Sequence, residues 1–339
     1  MRLTLIIPAF NSAATIRRCL DSIYALPLPE EEFEVIVVND ASKDETGEIV
    51  EEYSKAHENL TQIRHLVNRN VGAARNTGMA AARGKYIAFV DSDDEVGLGV
   101  VTALKRMEKD NLDMIAMRVE RYTSEGELMD TKSLQIPVEQ VFSGAWFQSN
   151  FPFWNSGVTS YLFSRVLLER ANYPFAENAY YEDADFVCVH LLNAKSMSYC
   201  DDCGSRIYDT SSSITHTFSY KHAFGFAFLG TRMLSSYERL ENQSNAFAQT
   251  ILEGGSWNIK QAFRYLLRLR SIVDVHAFYN LLDSRINRSS LMQYRKPTYC
   301  WTWWTRLGVK HRYWTAILAG VGIQILRLRS KVILSHNHA

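Results

Sequence analysis

The sequence predicts an α/β fold, a doubly wound and mostly parallel sheet, followed by a helical C-terminal region. Three observations carry this. Between residues 3 and 90, short β-branched runs alternate with stretches of helical period, the pattern of parallel strands joined by crossover helices. The predicted strands end on amide and acidic side chains, where ligands bind in open parallel sheets. Beyond about residue 220 the apolar spacing becomes helical, with Trp257, Gln261, Tyr265 and Arg268 at intervals of four, four and three.

The elements follow in order. Residues 3–7 form a first strand, and Asn11 or Ser12 caps a helix carrying Ile16, Leu20 and Ile23 on one face. Residues 33–38 form the second strand, and Ser42-Lys43-Asp44-Glu45 fits a capping box ahead of a helix burying Ile49, Val50 and Tyr53. Residues 62–67 read as a third strand, 72–84 as a small-residue helix, and 86–90 as a strand stopping at Asp91-Ser92-Asp93-Asp94. Later strands fall at 112–117 and 196–199, while 123–153 has weak periodicity and several turn signals.

The 339 residues, 47% of them hydrophobic, are enough for two domains with a sizeable core. We expect a catalytic domain over 1–218, with 1–100 holding a nucleotide and 101–218 an acceptor, and a helical, basic region over 219–339. Lysine plus arginine equals aspartate plus glutamate at 37 each, so nothing calls for a nucleic-acid partner. The distribution is uneven: no acidic residue follows Asp283, and the last 56 residues carry +10. Five cysteines without disulfide-like spacing fit free thiols in a reducing compartment, and Cys200-Asp201-Asp202-Cys203 lacks the second cysteine pair that a structural zinc site needs. The opening run is too short for a signal-peptide core, and the apolar run 315–326 is too short to span a bilayer.

Asp91, Asp93 and Asp94 at a strand end repel one another unless a cation or solvent relieves them. Oxygen-only ligands suit magnesium or manganese, which take one or two protein carboxylates plus phosphate oxygens. An acidic turn alone can equally be a solvated loop.

Four blocks narrow that choice: Pro8-Ala9-Phe10-Asn11; Val37-Val38-Asn39-Asp40-Ala41-Ser42-Lys43-Asp44; Asn70-Val71-Gly72-Ala73-Ala74-Arg75-Asn76-Thr77-Gly78; and Gly84-Lys85-Tyr86-Ile87-Ala88-Phe89-Val90-Asp91-Ser92-Asp93-Asp94. Together and in this order they resemble family 2 of the glycosyltransferases. The resemblance implies a GT-A fold, a nucleotide-sugar donor, most often a UDP-sugar, a divalent metal (Mn2+ or Mg2+), and inversion at the anomeric carbon. Carried onto matching positions, it implies that Pro8, Ala9 and Asn11 line the nucleotide site and that Asp40 contacts the uracil. It further implies that Asn70, Gly72 and Arg75 complete the pocket, that Asp91 lies near the ribose with Ser92 also in the donor site, and that Asp93 is the direct metal ligand bridging to the diphosphate. Arg75 can instead be a surface arginine or one paired with a nearby aspartate.

Tyr181-Glu182-Asp183-Ala184-Asp185-Phe186 resembles the family's Glu-Asp pair, with Trp154-Asn155 and Phe175 as weaker landmarks. Asp183 is the candidate general base, since an attacking hydroxyl must lose its proton; Glu182 and Asp185 are its rivals, and an acid at a helix start also serves as a cap. In the Ser-Ile-Thr segment after the last core strand, His216 is a candidate second metal ligand or a surface histidine. The processive members' Gln-x-x-Arg-Trp motif is absent. Trp301, Trp303, Trp304, Arg306, Lys310, Arg312 and Trp314 suit either a segment resting on anionic lipid or helix packing against the core. The expectation is a cytosolic enzyme, at most peripheral on the inner face of the membrane, that glycosylates a glycan or lipid-linked acceptor in polysaccharide biosynthesis. The rival is a degenerate relative acting as a carbohydrate-binding or assembly subunit. A nucleotidyltransferase or an NAD-dependent oxidoreductase would need a glycine-rich loop after the first strand, where Pro8-Ala9-Phe10-Asn11 stands.

Overall fold

The computed structural model describes residues 1–137, 139–151, 157–177, 179–209 and 219–238, and scattered positions between 254 and 280. Two compact units are present, Met1–Asn178 with Glu182–Ser212, and Ala179–Tyr181 with Ser213–Ala339.

The first unit is built on one nine-stranded sheet. Its parallel part comprises β1 (Leu3–Ala9), β2 (Phe33–Asn39), β3 (Leu60–Arg64) and β4 (Tyr86–Phe89) in the order β3-β2-β1-β4. All seven residues of β1 and of β2 are buried, which is why both read as mainly apolar runs, broken only by Thr4, Glu34 and the closing Asn39. Their side chains alternate between two cores: Leu3, Leu5 and Ile7 pack with Ile16, Leu20 and Ile23, whereas Ile6 and Ile36 pack with Ala74, Phe89 and Phe186. Burying an aliphatic side chain of this size contributes about 1.5–3 kcal/mol. On the first face lie α1 (Ile16–Tyr24), α2 (Thr46–Ala56) and, after the two-residue strand β5 (Glu95–Val96), α4 (Gly99–Asp110); α3 (Asn70–Ala81) covers the other. The helix α3 sits close because its inner positions are small; a Cβ on Gly78 would collide with the Ile6 side chain.

Beyond β4 the sheet turns mixed. The strand β8 (Tyr161–Ser164) runs antiparallel to both β4 and β6 (Met114–Tyr122), β9 (Met197–Tyr208) is parallel to β6, and β7 (Leu128–Lys132) hangs on β6. The helices α5 (Gly144–Asn150), α6 (Arg165–Ala171) and α7 (Glu182–Asn193) fill the stretch around β8, the first two capped by Ser143 and Ser164.

Three local expectations are corrected. The third strand is β3, not 62–67: pairing of Val35 with Leu60 and Asn39 with Arg64 sets its register, and Leu66 and Val67 are exposed. Ser42 does not cap α2. Its hydroxyl accepts the Asn11 N–H (3.0 Å), and Asp44 accepts instead from the Thr46 N–H (3.1 Å) and hydroxyl (2.5 Å). The small-residue helix begins at Asn70 and ends at Ala81, because Thr4 Oγ1 and buried Glu34 draw in the backbone of Arg83 and Gly84. Cys200 and Cys203 flank an irregular part of β9, both free thiols, and burial pushes Cys203 up to about 11.

In the second unit, α8 (Tyr220–Glu238) buries Phe224, Ala227 and Leu234. Among the described residues further on, Ile259, Ala262, Leu266 and Leu269 are buried at helical spacing, so the stripe is displaced from the expected Gln261, Tyr265 and Arg268. Gly230 and Gly255 lie where the two stretches approach, and Tyr181 (φ 66°) stacks on Phe226 at 4.3 Å. Trp154 and Asn155, Trp257, His216 with its Ser-Ile-Thr neighbours, and the tryptophan-rich basic segment all lie outside the described residues. Among the described residues no helix is long and apolar enough to cross a membrane.

Candidate active site

The carboxyl ends of β2, β1 and β4 lie side by side, and the loops after β1 and β2 are tied together by hydrogen bonds from backbone N–H groups. The Asp40 N–H donates to the Ala9 carbonyl (2.8 Å), and Asn11 Oδ1 accepts the Lys43 N–H (2.9 Å). Pro8 and Ala9 are buried and Asn11 is exposed at the rim. Asn11, Ala41 and Asn70 all have left-handed backbone, with φ of 51°, 62° and 71°. Asparagine tolerates this; alanine does so at a cost of about 1–2 kcal/mol. Glycine at position 41 would lose about 0.5–1 kcal/mol of chain entropy and relieve more strain than that. Ala41→Gly is therefore expected to stabilise the protein by about 0.5 kcal/mol in urea unfolding, and a lower midpoint would contradict the strain.

Asp40 is 2% exposed and heavily engaged. Its carboxylate accepts from the Arg69 N–H (2.9 and 3.1 Å) and meets His65 Nδ1 at 2.6 Å, and His65 Nε2 reaches Thr77 Oγ1 at 2.9 Å. Asp40 thus fastens β2 to the start of α3, where Asn70 and Gly72 stand. A Cβ at Gly72 would strike the Ala176 carbonyl, and Asn76 clasps the backbone of Phe175 from both sides (2.9 and 3.0 Å). Small and amide residues in this block bring the chain at 175–177 against α3.

Arg75 lies under the acidic turn, 4% exposed. One terminal nitrogen donates to Asp91 Oδ1 (2.7 Å) and the other to Glu182 Oε1 (2.6 Å), with the Phe175 ring at 5.3 Å. Arg75 is thus spent on two carboxylates and joins the end of β4 to the first turn of α7. The paired alternative read from sequence is the one observed, with Glu182 as a second and unforeseen partner.

In the turn itself, Ser92 Oγ meets Ser12 Oγ at 2.7 Å. Asp94 is buried and accepts the Tyr208 N–H (3.0 Å). Asp93 forms no ion pair among the described residues, and burial together with the Asp91 charge raises its carboxyl above the usual range. The same two causes, with Asp93 added, push Asp94 well up. Among the described residues no three His, Cys, Asp or Glu side chains gather into a metal cage. An unpaired Asp93 beside Asp91 therefore fits a hard cation that takes one or two protein carboxylates and fills its shell with diphosphate oxygens and water.

The three acids of α7 differ in their commitments. Glu182 is held by Arg75, and Asp185, 2% exposed, is bonded by the Tyr173 hydroxyl (3.0 and 3.2 Å). Asp183 Oδ1 accepts the neighbouring Ala184 N–H (2.8 Å), and burial raises its carboxyl while Arg75 pulls it down. Sequence reasoning missed Arg18, whose guanidinium donates to the Asp93 carbonyl, and Tyr208 beneath it. Nothing local distinguishes Arg18 from Arg17; only the helix phase turns one inward.

A sheet of this order, with an acidic turn closing a central strand and a carboxylate-bearing helix bridged to it, is the architecture of a GT-A-type glycosyltransferase. S. aureus TarS 1–349, solved in complex with UDP-GlcNAc, superposes with a TM-score of 0.68 at 18% identity over 97% of this chain and 92% of that one. The Pyrobaculum calidifontis mannosyltransferase PcManGT, solved with GDP-Man and Mn2+, gives 0.52 at 17% identity over 97% and 88%. The likeness to both is one of fold. The family model Glycosyl transferase family 2 matches residues 4–170, and this part of the chain belongs to that family. The uncharacterized glycosyltransferase EpsJ of Bacillus subtilis is 32% identical over 230 residues, 65% of this chain and 64% of EpsJ. The chain spans less than two thirds of the length of the curated relatives it matches.

Proposed function

We propose that this glycosyltransferase moves a sugar from a nucleoside diphosphate sugar, with uridine as its base, to a hydroxyl of a glycan or lipid-linked glycan, inverting the anomeric carbon. The observation that carries the reading is the Arg75 bridge, which ties the turn at Asp91 to the helix start bearing Asp183. Donor leaving group and acceptor proton are then handled a few side chains apart. Pro8, Ala9, Asn11, Asp40, Asn70 and Gly72 shape the nucleotide pocket, Asp40 from beneath, and Arg75 acts on the donor through Asp91. Asp93 holds the cation, which when bound neutralises charge on the leaving diphosphate. Asp183 takes the proton as the acceptor oxygen attacks the anomeric carbon and the bond to the diphosphate oxygen breaks. A single base without a covalent nucleophile gives one displacement and therefore inversion. The TarS complex with UDP-GlcNAc supports a UDP-sugar, an N-acetylhexosamine among the first to try. With Asp93 and Asp183 both in place and neither held in an ion pair among the described residues, catalysis is favoured over a binding-only role. The acid-free basic segment after residue 283 would hold the enzyme on anionic lipid beside a lipid-linked acceptor.

Calorimetry with UDP, GDP, TDP and NADH, with and without manganese, tests the donor assignment. UDP binding that manganese strengthens is expected, with GDP, TDP and NADH weaker. Tighter GDP binding would move the base assignment, and no binding of any nucleotide by folded protein would favour the non-catalytic relative.

A further inference from the structure

The helix α1 and the turn leading into it form a template for the acidic turn. Ser12 Oγ meets Ser92 Oγ at 2.7 Å, the Cys19 thiol faces the Asp91 carbonyl at 3.6 Å, and Ser22 Oγ accepts the Val96 N–H at 3.0 Å. Arg18 supplies the remaining contact, donating from Nη2 to the Asp93 carbonyl. Arg18 alone of these four also reaches the end of β9. Its guanidinium carbon lies 3.6 Å from the centre of the Tyr208 ring, and its Nε is 3.7 Å from Glu95. Tyr208 closes the circuit, giving its N–H to Asp94 (3.0 Å) and its hydroxyl to Glu95 (2.8 Å).

We infer that Arg18 is a positioning residue for the diphosphate end of the donor: it fixes the backbone of Asp93 and locks the acidic turn to the end of β9 through the Tyr208 ring. The inference rests on the donor-site reading above. The chemistry calls for arginine, because a planar guanidinium can donate in its plane while stacking with its face, and an ammonium cannot do both. Partners that orient a metal-binding carboxylate in this way typically change metal affinity by about 10- to 100-fold when removed.

The test is calorimetric titration of UDP, with and without manganese, on the wild type, Arg18→Lys, Arg18→Met and Arg17→Ala, with a thermal melt of each. Arg17 lies on the same helix but pairs outward with Glu52 (2.6 Å). Arg18→Lys and Arg18→Met are expected to lose about 10-fold or more of UDP affinity in manganese while metal-free affinity stays within about twofold. Arg17→Ala should match the wild type. Unchanged affinity in manganese overturns the inference, as does an equal loss with and without metal, which is what a merely structural arginine would give. Should Arg18→Met not fold, Arg18→Lys, which keeps stem and charge, carries the test. A wild type that binds no nucleotide overturns the donor-site reading and this inference with it; a wild type that binds and an Arg18→Lys variant that binds equally well overturn this inference alone.

Discussion

Arg75→Met is expected to lower the melting temperature by about 10 °C. The guanidinium is the shared partner of Asp91 and Glu182, and Glu182 is 7% exposed. Removing one member of a buried ion pair strands the other and typically costs about 3–5 kcal/mol, which for a unit of this size is roughly 2–4 °C per kcal/mol. Methionine keeps most of the volume, so the loss reports charge and hydrogen bonding rather than a cavity. Arg75→Met combined with Glu182→Gln should recover part of the loss, because the stranded carboxylate becomes neutral. Arg75→Lys should fall between, since one ammonium does not span both partners with a fork. An unchanged melting curve for Arg75→Met would show that the bridge does not hold the turn and α7 together.

Asp183→Asn is expected to reduce sugar transfer by about 10²- to 10⁴-fold while leaving UDP binding and the melting temperature near those of the wild type. The amide keeps the shape and can still accept the Ala184 N–H, so only the proton acceptor is lost. The pH dependence has a definite sign. A base works deprotonated, so activity rises with pH through the Asp183 titration; burial raises that carboxyl, which places the acidic limb above the ordinary aspartate value of about 3.9. Asp183→Asn should remove the limb along with most of the rate. Glu182→Gln leaves Arg75 with a neutral partner and should lower stability and activity together. Full activity in Asp183→Asn with none in Glu182→Gln would transfer the role of base to Glu182.

The parallel half of the fold was legible because β1 and β2 are buried along their whole length and because their loops carry residues whose types follow from the site: asparagines at left-handed positions, glycine against a carbonyl, acids at a strand end. Legibility failed where tertiary partners outweighed local signals. The run Gln62 to Val67 looks more like a strand than Leu60 to Arg64, yet pairing with β2 fixes the latter. Ser42 suits a helix cap until Asn11 claims its hydroxyl. The four residues of β8 are too few for a period, and the sheet reverses direction there for reasons seen only in its neighbours. Arg75 and Glu182 are 107 positions apart, so neither announces the other. The acidic turn and the helix that shapes it both stood out from sequence, but the inward turn of Arg18 on that helix did not.

The most direct test of the central claim, that the turn at Asp91 to Asp93 holds the diphosphate end of a nucleotide donor through a divalent cation, is the free-manganese resonance signal in titrations with UDP. The account predicts that wild-type protein removes free Mn2+ from solution when UDP is present and far less when it is absent, and that Asp93→Ala, though folded, leaves the signal near that of Mn2+ with UDP alone. Manganese uptake that does not depend on UDP, or that survives Asp93→Ala intact, would contradict it.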